Sequence, residues 1–197
     1  MSRLMTAVLL LTGVFCTPVS AASDVPADAL TVIHNRKSVR HFTGRSVDAG
    51  TLTRIVRAGM AAPAAENMQA RSFVIVTEKD GLKDLAAGLP YAKMLDQAGA
   101  AIVVCALPEK AYQKKAEFAI LNATCASENI LLAIEALKLG GVWTAVYPEK
   151  KLMAHVRATL GIPENVIPLN VIPVGYPAGV DRPKDKFNPE NMHWEKW

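Results

Sequence analysis

The chain has 197 residues, 51% of them apolar and 20% charged, with a formal charge of +4. That is enough apolar material for one sizeable core without disulfide staples, and a charge too mild, with no long Lys/Arg block, to point to nucleic acid. The cysteines Cys16, Cys105 and Cys125 have no metal-site spacing.

In chain order, residues 1–21 read as a secretory leader: Arg3 opens it, Leu4 to Phe15 is apolar apart from Thr and Gly, and Val19-Ser20-Ala21 offers small residues for cleavage. The apolar run is shorter than the about 20 residues that an anchor needs, so the expectation is cleavage near Ala21, export to the periplasm and no stable membrane anchor. Phe15 directly before Cys16 argues against lipid attachment, and Arg3 stands without a second arginine, so a cofactor would be acquired after export. Residues 22–197 then form one domain.

Residues 28–36 suit a short helix opening at Asp28, which delivers the basic turn Arg36-Lys37-Ser38-Val39-Arg40. Asp48 opens a second helix, in which Leu52, Ile55, Val56 and Gly59 recur at helical spacing until Pro63. Ser72 to Thr77 and Ala100 to Leu107 are continuous apolar runs of the kind buried on both faces. Between them, Lys79 to Ala87 and Tyr91 to Gln97 read as short helices. The longest helix is expected from Ala111 to Leu139, stopped by Gly140-Gly141. Val142 to Val146 is a third strand, Glu149 to Leu160 an amphipathic helix, and Ile167 to Val174 a fourth strand, where Pro168 and Pro173 suggest an edge or a bulge. After Pro177 the chain is polar and aperiodic yet ends in Trp194 and Trp197, so it is expected to lie across a surface. The mixture of helices and strands predicts an α+β or α/β sandwich. Cys105 and Cys125 are expected to be buried thiols; whether they pair is open at this level.

The usual side-chain catalytic signatures are missing: there is no G-x-S-x-G, H-E-x-x-H, Walker loop or G-x-G-x-x-G, and the four histidines are scattered. An enzyme built this way would rely on a cofactor. Three segments could hold one. Arg36, Lys37 and Arg40, with the Ser38 hydroxyl, offer charge-assisted donors to a phosphate dianion, although a solvated basic helix end would look the same. In Ala62-Pro63-Ala64-Ala65-Glu66-Asn67-Met68-Gln69, small residues permit close backbone approach, and Asn67 and Gln69 bring amides suited to a heterocycle; the loop could equally be a plain connection. In Gly140 to Pro148, a strand with small and aromatic residues could lay backbone amides against a planar ring, while Trp143 suits a core role.

Taken together with Asn129 to Ala133, Val174-Gly175-Tyr176-Pro177 and Pro183-Lys184-Asp185-Lys186-Phe187, these pieces resemble, in order and spacing, the nitroreductase family, from about Ile33 to Trp197. The resemblance implies an α+β sandwich whose central, mainly antiparallel sheet is flanked by helices, in an intertwined homodimer with FMN at the interface. It implies that Arg36, Ser38 and Arg40, with Lys184 and Lys186, hold the FMN phosphate while Lys37 keeps a polar flavin contact, that Pro63, Ala64 and Asn67 come from the other subunit with Gln69 also binding the cofactor, and that Thr144, Ala145 and Val146 line its ring. NADH or NADPH would be the electron donor and a small electron-poor molecule, such as a nitroaromatic or quinone, the acceptor. The chain departs from the family at several places. Lys37 replaces a common second arginine, Ala64 a serine, Ala70-Arg71 a Pro-Trp pair, and Asn122 an aspartate, while Glu66 adds a carboxylate that disfavours the extra phosphate of NADPH. The competing expectation is a flavin-binding or small-ligand-binding module without turnover.

Overall fold

Of the two long apolar runs, 100–106 is buried throughout in the middle of the sheet, whereas 71–76 lies at its edge with Ser72 and Ile75 exposed, so the expectation of burial on both faces holds only for the second. The computed structural model describes residues 28–197, so the expected leader and its cleavage point lie outside the described residues. The strands are β1 (Arg71–Val76), β2 (Ala100–Ala106), β3 (Gly140–Gly141), β4 (Thr144–Ala145) and β5 (Ile167–Gly175), in the order β1-β2-β5-β3 with β4 also on β5. Every pairing is antiparallel, as expected.

Helices α1 (Ala29–Asn35), α2 (Ala49–Met60), α3 (Lys79–Gly88), α4 (Ala116–Ala136) and α5 (Lys150–Leu160) make the outer layers. Side chains alternate across a strand, and β2 shows the result. Ile102 and Val104 join Leu52, Ile55, Ile130 and Ile134 of α2 and α4 on one face. Ala101, Val103 and Cys105 join Leu82, Leu85 and Val156 of α3 and α5 on the other. A strand buried on both faces has no reason to alternate apolar with polar residues. One buried polar tie crosses the layers: Asn170 of β5 donates its amide to Ser127 Oγ of α4 at 2.9 Å.

The helix ends follow local chemistry. Asp28 and Asp48 cap α1 and α2 by accepting the backbone N–H of Thr31 and Thr51 at 3.2 and 2.9 Å. Gly161, at φ +65°, ends α5 in the left-handed conformation that glycine adopts without strain.

Further expectations change. The strand at 167–175 is interior, bonded to β2 on one side and to β3 and β4 on the other. Pro168 is tolerated because the register shifts between Val104 and Cys105 opposite it, while Pro173 pairs in register with Ala101, so the bulge is present and the edge is not. The long helix is shorter than predicted: residues 112–114 form a 3-10 turn with Gln113 and Lys114 at positive φ, and α4 ends at Ala136, before left-handed Lys138. Gly140 and Gly141 therefore do not stop the helix. They form a strand, which allows close packing, since a Cβ on Gly140 would sit 2.6 Å from Val39 Cγ1. The strand expected over 142–146 contracts to Thr144–Ala145.

The tail beyond Ala178 does not cover its tryptophans: Trp194 is 78% exposed and Trp197 fully so. Its main-chain anchorage to the body is the Phe42–Pro177 bridge and the Ala178 N–H to His41 carbonyl bond. Past that point it runs beside the basic turn, whose charged groups offer no apolar bed. Both cysteines are free; Cys105 is buried as expected, but Cys125 is exposed, because it lies on the face of α4 turned away from the sheet.

Candidate functional site

The basic turn is held extended by the sheet end. Val39 points inward, nearly fully buried, and its N–H donates to Gly141 O at 3.0 Å. In an extended segment the flanking side chains must point the other way, which turns Ser38 and Arg40 outward. Just beyond, Thr43 N–H bonds Tyr176 O at 3.0 Å and Ala178 N–H bonds His41 O at 2.9 Å. These bonds lay the start of the tail along the basic turn.

The consequence is a cavity of about 540 Å³ whose walls include Arg36, Lys37, Ser38 and Arg40 from the turn and Lys184 and Lys186 from the tail, residues about 150 positions apart in sequence. All six were singled out from sequence as one group. Arg182 and Asp181 also line it and were not; Arg182 directly precedes the 183–187 motif, so its position was the available signal. A neighbouring cavity of about 620 Å³ shares Arg36, Lys184 and Lys186 and adds His34 and Phe187.

Two of the cations are partly neutralised by α4. Arg36 Nε lies 3.4 Å from Glu128, and Lys37 Nζ lies 3.0 Å from both carboxylate oxygens of Glu135. Lys37 thus has a protein partner already, which its place in the basic turn did not reveal. Among the described residues, no carboxylate comes within ion-pair distance of Arg40, Arg182, Lys184 or Lys186. The cavity therefore presents a net excess of positive charge and several free guanidinium and ammonium donors, the donor set that binds a phosphate monoester.

Arg40 is also on the wall of a third cavity, about 470 Å³, lined by Tyr91, Met94, Val142, Trp143, Thr144 and Ala145. Thr144 and Ala145 were expected beside such a space; Tyr91 and Met94 were assigned only to a helix. The Thr144 hydroxyl donates to Val171 O, so it is satisfied within the protein. Val146 is displaced from its expected role: its side chain is fully buried in the core and its N–H bonds Leu169 O at 3.1 Å.

Pro63, Ala64, Asn67 and Gln69 lie apart from these cavities. Pro63 O accepts the Asn122 amide at 2.6 Å, and the Asn67 and Gln69 side chains bond each other at 3.2 Å. Glu66, Asn67 and Gln69 are all at positive φ, a conformation uncommon outside glycine. The helix α4 measures the separation. Asn122, which holds the loop, and Glu135, which holds Lys37, are thirteen residues apart on α4, hence about 20 Å along its axis. The loop and the basic turn of one chain do not form one compact site.

Arg71, at the start of β1, is buried; it donates to Met60 O, while its Nη1 has no partner, and burial lowers its pKa. Among the described residues, no group of His, Cys, Asp and Glu side chains is placed to hold a metal ion.

A model of the nitroreductase family matches residues 33–89 and 79–176. The chain is 37% identical over 173 residues to an Archaeoglobus fulgidus protein provisionally named NADH dehydrogenase/NAD(P)H nitroreductase, covering 86% of this chain and 99% of that one. Two crystal structures of proteins with the same provisional name superpose on it with a TM-score of 0.81. That from Parabacteroides distasonis is 43% identical and that from Bacteroides thetaiotaomicron 41%, each alignment covering 86% of this chain and 98% of the other.

Proposed function

The chain belongs to the nitroreductase family, and from that premise we propose that it is an FMN-dependent oxidoreductase carrying electrons from a reduced nicotinamide to an electron-poor acceptor such as a nitroaromatic or quinone. One observation carries the reading: the basic turn and the tail lysines converge on a single cavity that adjoins, through Arg40, a second cavity with aromatic and apolar walls. The donor set fits the group. A phosphate dianion matches the cluster of Arg36, Ser38, Arg40, Lys184 and Lys186, and a planar ring matches a space bounded by Tyr91, Trp143 and the Thr144–Ala145 strand. When bound, FMN supplies the two-electron chemistry.

The protein's part is to anchor, orient and exclude water. Arg36, Ser38 and Arg40 are fixed on a segment bonded to β3, so the anchor is rigid on one side. On the other side the tail brings Lys184 and Lys186 to the same cavity. Arg40, on the wall of both cavities, would hold the phosphate from one side and offer positive charge towards a bound ring on the other.

The complete site needs two copies of the chain. The separation of about 20 Å along α4 between the Pro63–Gln69 loop and the basic turn supports a homodimer in which that loop reaches the partner's cavity. The exposed Leu121 and Cys125 on α4 and the exposed Trp194 and Trp197 in the tail are apolar surface suited to the same interface. Export of this enzyme through residues 1–21 completes the reading and places the donor question in the periplasm, where another reductant could replace the nicotinamide.

The test is the absorption spectrum of protein recovered from the exported fraction. Yellow protein that bleaches with NADH or NADPH and recolours with a quinone supports the enzyme. Bound flavin that no donor reduces supports a binding module instead. Colourless protein that fails to take up added FMN refutes the proposal.

A further inference from the structure

The phosphate-type cavity contains one group that a phosphate does not want. Asp181 lines it among five or more cations, yet its Oδ2 is buried and has no hydrogen-bond partner among the described residues. None of the neighbouring cations lies within ion-pair distance of it. Its position is set by the main-chain bonds of Phe42–Pro177 and His41–Ala178 just before it. A buried acceptor without a donor is a cost that a ligand can remove. Inorganic phosphate is poorly suited to remove it, because its P–OH can donate only by bringing the ion's own negative charge directly against the carboxylate. A phosphate monoester whose carbon chain carries hydroxyls can remove it: the phosphate takes the arginines and lysines, and a hydroxyl donates to the carboxylate.

We propose that Asp181 makes this cavity selective for polyol phosphates over simple phosphates, by accepting a hydrogen bond from a chain hydroxyl near the phosphate. The inference rests on the reading of this cavity as the cofactor's phosphate pocket, since a ribityl phosphate belongs to that class. It adds a residue that discriminates, where the cations only attract. Asp181 acts here as an acceptor and not as a base, so no proton changes hands.

The experiment is calorimetric titration of the purified, dialysed protein with ribitol 5-phosphate, inorganic phosphate and FMN, for the unaltered chain and for Asp181→Ala, Asp181→Asn and Arg40→Ala. The unaltered protein should prefer ribitol 5-phosphate to inorganic phosphate. Asp181→Ala should weaken ribitol 5-phosphate and FMN by about tenfold and tighten inorganic phosphate by about twofold or more, as a like charge is removed. Asp181→Asn, which keeps one acceptor oxygen, should fall between. If Asp181→Ala tightens all three ligands, Asp181 is only a repulsive charge and the proposal fails; if it changes none, it fails as well. If the unaltered protein binds none of the three and Arg40→Ala changes nothing, the pocket reading itself has failed and the inference goes with it.

Discussion

Replacing Glu135 by Gln separates the two roles that Lys37 could have. At 3.0 Å from both carboxylate oxygens, with side chains 26% and 17% exposed, the pair has a gross attraction of about 5 kcal/mol at an effective dielectric of 20. Desolvation of two charges takes back most of that, leaving an expected coupling of about 1–2 kcal/mol, above the value for an exposed pair. Urea titration of the single variants Lys37→Met and Glu135→Gln and of the double variant gives that coupling directly. For a chain of this size it corresponds to about 3–6 °C in melting temperature. Because Lys37 already has two acceptors at its ammonium, Lys37→Met should lower FMN affinity by less than about threefold, whereas Arg40→Ala, whose guanidinium has no protein carboxylate, should lower it by about tenfold or more. A coupling below about 0.5 kcal/mol, or equal losses of FMN affinity for Lys37→Met and Arg40→Ala, would refute the assignment of Lys37 to the fold.

Burial holds the Cys105 thiol up at about 12, from an ordinary 9.0. The folded state therefore keeps a proton that the unfolded chain releases, and its stabilisation is complete below pH 9 and lost between pH 9 and 12. Denaturant titrations should show stability falling by about 1.4 kcal/mol per pH unit in that window, in excess of the slope for Cys105→Ala. Gly99→Ala should cost about 2 kcal/mol or more, since its Cβ would lie 2.3 Å from the Arg45 carbonyl, a backbone atom that cannot swing away. Gly161→Ala, in open space but at φ +65°, should cost only about 1 kcal/mol; a melting curve for each variant checks the order, and equal losses would contradict the packing argument.

What could be seen in the sequence depended on whether a residue's role was set by its neighbours along the chain or by distant ones. The uninterrupted apolar residues of β2 announced a strand covered on both faces, and the capping aspartates Asp28 and Asp48 announced two helix starts, because each signal is complete within a few residues. The interior position of β5 was hidden because Pro168 and Pro173 argue locally for an edge, and the register shift that admits Pro168 lies against Val104 and Cys105 on a distant strand. Gly140-Gly141 misled for a similar reason. Small residues serve equally as a helix stop and as a strand that another chain segment must approach, and it is Val39, a hundred positions away, that decides.

The site divides along the same line. The convergence of Arg36, Lys37, Ser38 and Arg40 with Lys184 and Lys186 was expected from a resemblance to a whole family, since no local pattern joins a helix end to a tail 150 residues later. What the resemblance did not name were Arg182, Tyr91 and Asp181, whose carboxylate has an oxygen without a partner among the described residues. The balance of charge in the cavity is the consequence. Counting cations in the sequence makes Arg36 and Lys37 equal to Arg40, yet α4 brings Glu128 and Glu135 to the first two and leaves the third free. A cation's worth to a ligand is set by what else it touches, so Arg40, standing between the two cavities without a carboxylate, is where loss of charge should be felt most by a phosphate bound there.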